Sequence, residues 1–218
     1  MIDAVTADLS EEMQKDHFRV SIFGSAQTSK GDELYCDVYE LAKQIGNLGF
    51  DIVTGGGPGL MEAANAGHQA GAKDNEARSI GLTIKLPFEA VPNKHLDIKQ
   101  DFDRFSNRLD TFMVLSQVCI VTPGGVGTCL EFFYSWQLTQ VNHICNIPII
   151  LYGDLWPGLV KWLEEFPLKR GLIGSHDMDS LLMADNDDVV IRKITQLHEI
   201  YLREGDNFCL NFKKYKID

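Results

Sequence analysis

The sequence predicts an α/β fold: a single-domain, doubly wound, mostly parallel sheet with helices on both faces. Three observations predict it. Short aliphatic and β-branched runs alternate with longer stretches whose apolar residues recur at helical spacing. The first such alternation, a run at residues 18–23, a helical pattern at 32–48 and a run at 50–54, has the spacing of a βαβ unit and so implies parallel strands. Finally, three runs end in small-residue turns, at Gly24, Gly55 and Gly124, each leading toward a helical pattern. That is the Rossmann-like arrangement, in which ligands bind beyond the carboxyl ends of the strands.

Residues 1–16 read as a polar leader with a short helical piece. The strand at 18–23 runs into Gly24-Ser25-Ala26-Gln27-Thr28, and the helix at 32–48 places Leu34, Val38, Leu41, Ala42 and Ile45 on one face, with Gly49 as its stop. The strand at 50–54 leads into Gly55-Gly56-Gly57-Pro58-Gly59 and a helix at 60–70. A third strand is expected at 79–86, followed by a proline-bracketed loop at 87–93. Residues 97–101 are compatible with a short strand or an irregular connection. A helix at 103–116 turns Phe105, Leu109, Phe112 and Met113 inward, and Arg108 interrupts its apolar spacing. An arginine so placed is either a snorkelling surface residue or a functional one. The run Val118–Val121 reads as a buried strand, residues 126–140 as a helix, and 147–152 as another buried strand. A helix at 154–166, kinked near Pro157, an edge strand at 180–184 and a closing helix at 187–204 complete the domain, with a tail at 205–218. No repeat, low-complexity tract or linker divides the 218 residues.

The bulk numbers exclude several classes. A formal net charge of −11 argues against a broad nucleic-acid surface, which needs clustered Lys and Arg. No apolar stretch approaches the ~18 residues of a membrane span. The first fifteen residues carry Asp3, Asp8, Glu11 and Glu12 and no apolar core, unlike a secretory leader. Five cysteines, an odd count with no C-x-x-C pair, read as reduced, cytoplasmic usage. His68, His95 and His143 are scattered without ligand spacing, so no metal site is expected. No cofactor is expected.

The most informative stretch is Pro123-Gly124-Gly125-Val126-Gly127-Thr128-Cys129-Leu130-Glu131. Proline ends the strand, and glycines carry the chain into a helix. The first N–H groups of that helix have no intrahelical partner, and its dipole adds partial positive charge. Without side chains at Gly124, Gly125 and Gly127 an anion can approach the backbone. Thr128 adds a hydroxyl, and Glu131 lies one turn further in. The pattern reads as a phosphate cradle with a carboxylate beside it. Glycine used only to make the turn, and Cys129 as a small packing residue, are the plain alternatives. The Gly55 turn is not a dinucleotide fingerprint: in G-x-G-x-x-G the last glycine falls on Leu60 or Glu62, and the turn follows the second strand. It remains an anion or backbone-contact site.

Taken together these residues resemble the LOG (LONELY GUY) family, often catalogued as lysine decarboxylase-like. Residues 123–131 fit its P-G-G-x-G-T-x-x-E signature. Gly55-Gly56-Gly57-Pro58-Gly59-Leu60-Met61-Glu62 resembles its G-G-G-x-x-G-L-M region, one residue shorter before the last glycine, and Gly24-Ser25 stands at its first-strand turn. The similarity runs over residues 18–166. It departs at Leu109, where the family's Arg-Lys pair would place a lysine after Arg108, and at Leu130, where an acidic doublet is common.

The resemblance implies a homodimer or higher homo-oligomer acting on a small-molecule nucleotide. The reaction would be phosphoribohydrolase cleavage of a nucleoside 5′-monophosphate, a cytokinin ribotide or AMP-like, to free base and ribose 5-phosphate. On that reading Glu131 stabilises the oxocarbenium-like state or activates water, and Arg108 contacts phosphate or base. Gly124, Gly125, Val126, Gly127 and Thr128 hold the 5′-phosphate, while Gly24, Ser25, Gly55, Gly56 and Gly57 line the cleft. The alternative is a non-catalytic nucleotide or molybdenum-cofactor carrier of the same superfamily. Decarboxylation through pyridoxal phosphate draws no support, since no His-Lys pair occurs.

Overall fold

The computed structural model describes residues 7–85 and 91–205. The chain runs α1 (Ala7–Met13), β1 (Arg19–Phe23), α2 (Glu33–Asn47), β2 (Asp51–Thr54), α3 (Leu60–Gly71), β3 (Ser79–Ile84), β4 (Ile98–Phe102) and α4 (Phe105–Leu115). It continues through β5 (Val118–Val121), α5 (Val126–Gln140), β6 (Ile149–Tyr152), α6 (Trp156–Leu163), α7 (Ser175–Met178), β7 (Leu181–Ala184) and α8 (Asp187–Glu204). A short 3₁₀ turn, Ala72–Asp74, follows α3, and a π-helical turn, Glu164–Leu168, follows α6.

The strands form one seven-stranded sheet in the order β4-β3-β2-β1-β5-β6-β7, and every pairing is parallel. Because strand side chains alternate between faces, the two cores can be read directly off the strands. Val20, Ile22, Ile52, Val118, Ile120, Ile150 and Tyr152 point to one face, where α2, α3 and α8 cover them with Val38, Leu41, Ile45, Ala63, Val190 and Ile194. Phe23, Val53, Cys119, Val121, Ile149 and Leu151 point to the other, under α1, α4, α5 and α6. This is the doubly wound arrangement that the strand-helix alternation implies.

Several expectations are refined. The segment left open at 97–101 is a true strand from Ile98 to Phe102, because β4 pairs with β3 along five registers from Ile80↔Ile98 to Ile84↔Phe102. The closing segment of the sheet is an edge strand, β7, as its spacing implied. The kink expected near Pro157 is absent. Pro157 sits in the first turn of α6, where its missing N–H costs no hydrogen bond. The irregularity comes later, at the π-turn that contains Pro167. Leu86, the loop residues 87–90, the tail at 206–218 and residues 1–6 of the leader lie outside the described residues. Cys36, Cys119 and Cys129 are free thiols, whereas Cys145 is disulfide-bonded, so the reading of uniformly reduced cysteines fails at that position. No helix among the described residues is long and apolar enough to cross a membrane.

The polar leader also needs correction. Helix α1 is packed: Leu9 is fully buried, and so is the carboxylate of Glu12. Glu12 meets the amino ends of β1 and β2. Arg19, the first residue of β1, donates through Nη2 to the carbonyls of Glu12 and Lys15, and its Nε lies 3.5 Å from Asp51 Oδ2 at the start of β2. Lys15 Nζ sits 2.7 Å from Glu12 Oε2, and the amide of Arg78 donates to Asp51 Oδ1 at 2.8 Å. Burial pushes the Asp51 carboxyl up, opposed by that amide and by Arg19. Burial also raises Glu12, but the hydrogen bond and charge of Lys15, with Arg19, outweigh it, and the net shift is downward. His17 joins the two acids, with Nδ1 at 3.1 Å from each, so that Glu12, His17 and Asp51 offer three potential metal ligands within 4.8 Å of one another. Arg19 and Lys15 already neutralise both carboxylates, which makes this a structural ion network.

Removing one partner of a buried ion network strands the remaining charge and typically costs about 3–5 kcal/mol. Arg19→Met is therefore expected to lower the unfolding free energy by about that amount, measured by urea unfolding followed by circular dichroism. The loss should shrink when Asp51→Asn is added.

Candidate functional site

Strand order reverses between β1 and β5: after β4 at one edge, the chain crosses through α4 to pair β5 with β1. A crevice opens there at the carboxyl ends of the strands. The turns at Gly24, Gly55 and Gly124 all stand on this rim, one residue or a few after β1, β2 and β5. They are stitched to one another by backbone. The Ser25 N–H donates to the Pro123 carbonyl at 3.2 Å, and the Ser25 carbonyl accepts from Leu60 N–H at 2.8 Å. Thr122 Oγ1 donates to the Phe23 carbonyl, tying β5 to the last residue of β1.

These contacts explain where glycine is required. Gly59 holds a left-handed conformation (φ +70°), and a side chain there would strike the Ser25 carbonyl and Ala26. A side chain on Gly24 would overlap Thr122 Oγ1, and one on Gly124 would overlap Thr128. Gly125 and Gly127 differ, because nothing of the protein lies within 4 Å of where their side chains would be. Their backbone faces open space.

Open space matters here because Gly125 is the N-cap of α5 and provides no side-chain hydrogen bond, and no acidic side chain occupies the first turn. The leading N–H groups at Val126, Gly127 and Thr128 are therefore uncapped within the helix. The Val126 side chain is 88 % exposed, and that of Thr128 is buried. The start of α3 is different. Its first amide, at Leu60, is already taken by the Ser25 carbonyl, so the far end of the Gly55 turn is a backbone-contact site.

Beside this helix start lies an ion pair. Arg108 on α4 is 7 % exposed, so the snorkelling reading does not hold. Its Nε donates to the Leu82 carbonyl of β3 at 2.6 Å, its guanidinium lies 5.4 Å from the centre of the Phe112 ring, and a side chain on Gly55 would collide with its Nη2. Nη1 lies 3.4 Å from Glu131 Oε1. Glu131, on the second turn of α5, keeps 12 % of its side chain exposed. Burial raises its carboxyl to about 7, with Arg108 opposing. Burial likewise lowers the guanidinium of Arg108, with Glu131 opposing. Leu109, standing where the resemblance places a lysine, is buried, which leaves Arg108 as the sole basic residue of α4. Arg108, Glu131 and the three glycine turns thus come together in one crevice, with Gly24 and Ser25 spent on joining the turns. Cys129 is half-buried against the core, as a packing residue would be.

A family model described as "Possible lysine decarboxylase" matches residues 61–194. The chain belongs to this family. Among curated proteins a pyrimidine/purine nucleotide 5′-monophosphate nucleosidase of Escherichia coli (strain K12) is 30 % identical over 143 residues, which are 62 % of this chain and 30 % of that protein's length. Among solved structures the molybdenum cofactor carrier protein of Chlamydomonas reinhardtii superposes with a TM-score of 0.62 at 22 % identity, covering 84 % of this chain and 99 % of that one. The molybdenum cofactor binding protein of Rippkaea orientalis gives 0.61 at 20 %, covering 85 % and 99 %. At these identities the two structures establish the fold alone.

Several residues that the sequence reading passed over lie beside these turns. Thr54, Asn65 and Asn93 form a polar network around the Gly55–Gly57 turn, and Thr83 packs beside Gly56. Asn65 carried a faint signal, a polar residue among the apolar positions Leu60, Ala63, Ala64 and Gly67 of α3. Asn93 carried none.

The raised carboxyl of Glu131 makes stability pH-dependent. The folded chain holds this proton to about pH 7, against an ordinary value of 4.5. Below the ordinary value both states are protonated and the stabilisation is complete. As pH rises toward the folded value the unfolded state releases its proton first, and the stabilisation is lost. Urea unfolding across that window should show stability falling with pH, and Glu131→Gln should flatten this component.

Proposed function

We propose that this protein is a nucleoside 5′-monophosphate phosphoribohydrolase, releasing a free base and ribose 5-phosphate. One juxtaposition carries the reading: an uncapped, open helix start and a buried Arg108–Glu131 pair share the crevice at the strand-order reversal. The similarity to a nucleotide 5′-monophosphate nucleosidase supports the substrate class. The amides of Val126, Gly127 and Thr128, with the Thr128 hydroxyl, would receive the 5′-phosphate, where the helix dipole favours its charge. That placement directs the ribose toward Glu131.

Breaking the ribosyl–base bond builds positive charge at the anomeric carbon. The ionised Glu131 stabilises that charge, or accepts a proton from the water that forms the new C–O bond, while the bonding pair leaves with the base. Arg108 is anchored to the Leu82 carbonyl and touches Glu131, so it fixes the direction of the carboxylate and presents its remaining N–H groups to phosphate or base. A cation so close also favours the ionised form that the reaction needs.

Incubation with AMP, CMP, GMP and a cytokinin ribotide, with base release followed chromatographically, tests the proposal. Release of base with ribose 5-phosphate is expected from at least one of them. Binding without release would point instead to a carrier, a reading favoured by Leu109 at the lysine position. Glu131→Gln should lower kcat by roughly 10²–10⁴ while leaving nucleotide affinity within a few-fold, as for a group acting in the transition state. Because the ionised carboxylate is the active form, kcat/KM of the wild type should rise with pH to a plateau, with its midpoint near the folded value of about 7.

A further inference from the structure

The second glycine turn is held by side chains that have no part in the chemistry above. Asn65 of α3 is fully buried. Its Oδ1 accepts from Thr54 Oγ1 at 2.8 Å and from Asn93 Nδ2 at 2.9 Å, and its own Nδ2 donates to Ser79 Oγ at 2.8 Å. Thr54 Oγ1 in turn accepts from the Gly56 amide at 3.0 Å. Asn93 makes the remaining contacts: its backbone N–H donates to the Gly56 carbonyl at 2.9 Å and its Nδ2 to the Gly57 carbonyl at 3.0 Å. Its Oδ1 accepts from the His95 amide at 3.0 Å, and His95 Nδ1 meets Gln69 Oε1 of α3 at 2.9 Å.

Two asparagines and a threonine therefore fix the amide and carbonyl of Gly56 and the carbonyl of Gly57. Gly56 needs such fixing, since it sits in the left-handed region (φ +67°), where glycine has many alternatives. The position of this turn bears on the site. Gly55 abuts the guanidinium of Arg108, and Gly56 packs against Thr83, whose Cγ2 would lie 2.8 Å from a side chain there.

We propose that Asn93 is a positioning residue: together with Asn65 it pins the Gly55–Gly57 turn and fastens the segment from residue 91 to β4 onto it as one wall of the cleft. The assignment rests on the nucleotide reading for its kinetic consequence, and on geometry alone for its structural one. Arg108 has an independent anchor on the Leu82 carbonyl, and Glu131 stands on another helix. Loosening the turn therefore weakens substrate placement more than it slows the chemical step.

The test uses Asn93→Ala and Asn93→Asp in the full chain, since Asn93 is half-buried and its loss leaves the cores intact. The aspartate keeps the acceptor for His95 and loses the Nδ2 donor. Both variants are expected to raise KM for the nucleotide on the order of tenfold with kcat within about twofold, and to speed hydrogen exchange in peptides spanning residues 54–60. Unchanged exchange in both variants overturns the proposal. So does wild-type behaviour of Asn93→Asp, because the donor would then not be what holds the turn. If the wild type releases no base from any nucleotide, the nucleotide reading fails on its own account, and the exchange measurement still decides whether Asn93 pins the turn.

Discussion

Two hydrogen bonds on the backbone of Ser25 set the geometry on which the crevice depends. One reaches the turn after β5 and the other the start of α3, so the three turns cannot move independently. Backbone is suited to this joint because it adds no side-chain rotamers to order. The joint also dictates local sequence: the chains approach so closely that Gly24 and Gly59 have no room for a Cβ, while Gly124 is crowded by the Thr128 side chain of its own turn. Gly125 and Gly127 are small for a different reason, since space above them is open toward solvent. One stretch of glycines thus serves two ends, packing against neighbours and leaving a backbone face bare.

The Arg108–Glu131 pair shows how burial and charge oppose each other. Taken alone, each group would resist ionising in so dry a place. Together they offset part of that penalty, with the Leu82 carbonyl taking a further arginine N–H. The balance leaves the carboxylate near neutrality in its proton affinity, where small changes in surrounding charge alter its ionisation most. An anion brought to the open start of α5 would be one such change.

Much of this was legible in the sequence, for identifiable reasons. Doubly covered strands leave continuous apolar runs, and helices α2 and α8 keep a clean 3.6-residue spacing, so those elements were readable to within a residue or two. The glycine turns were readable because few residues can adopt their geometry. What escaped were features decided by distant partners. Leader helix α1 looks polar, yet Glu12 is buried because Arg19 and Lys15 meet it there. Segment 97–101 lacks alternation, and only pairing with β3 makes it a strand. Asn93 has a role solely because the fold delivers it to carbonyls about 36 positions away in sequence. Pro157 shows the reverse error, a local rule applied at the one helical position where it does not bind.

The two rims of the sheet hold different kinds of charge. At the amino ends, Glu12, Arg19 and Asp51 are locked together out of water. At the carboxyl ends, the open amides that begin α5 stand near one buried, half-balanced acid, Glu131. Substitutions that retune the second rim scarcely touch the anchoring supplied by the first. Such a division lets the residues around the start of α5 change without first having to rebuild the foundations at the opposite rim.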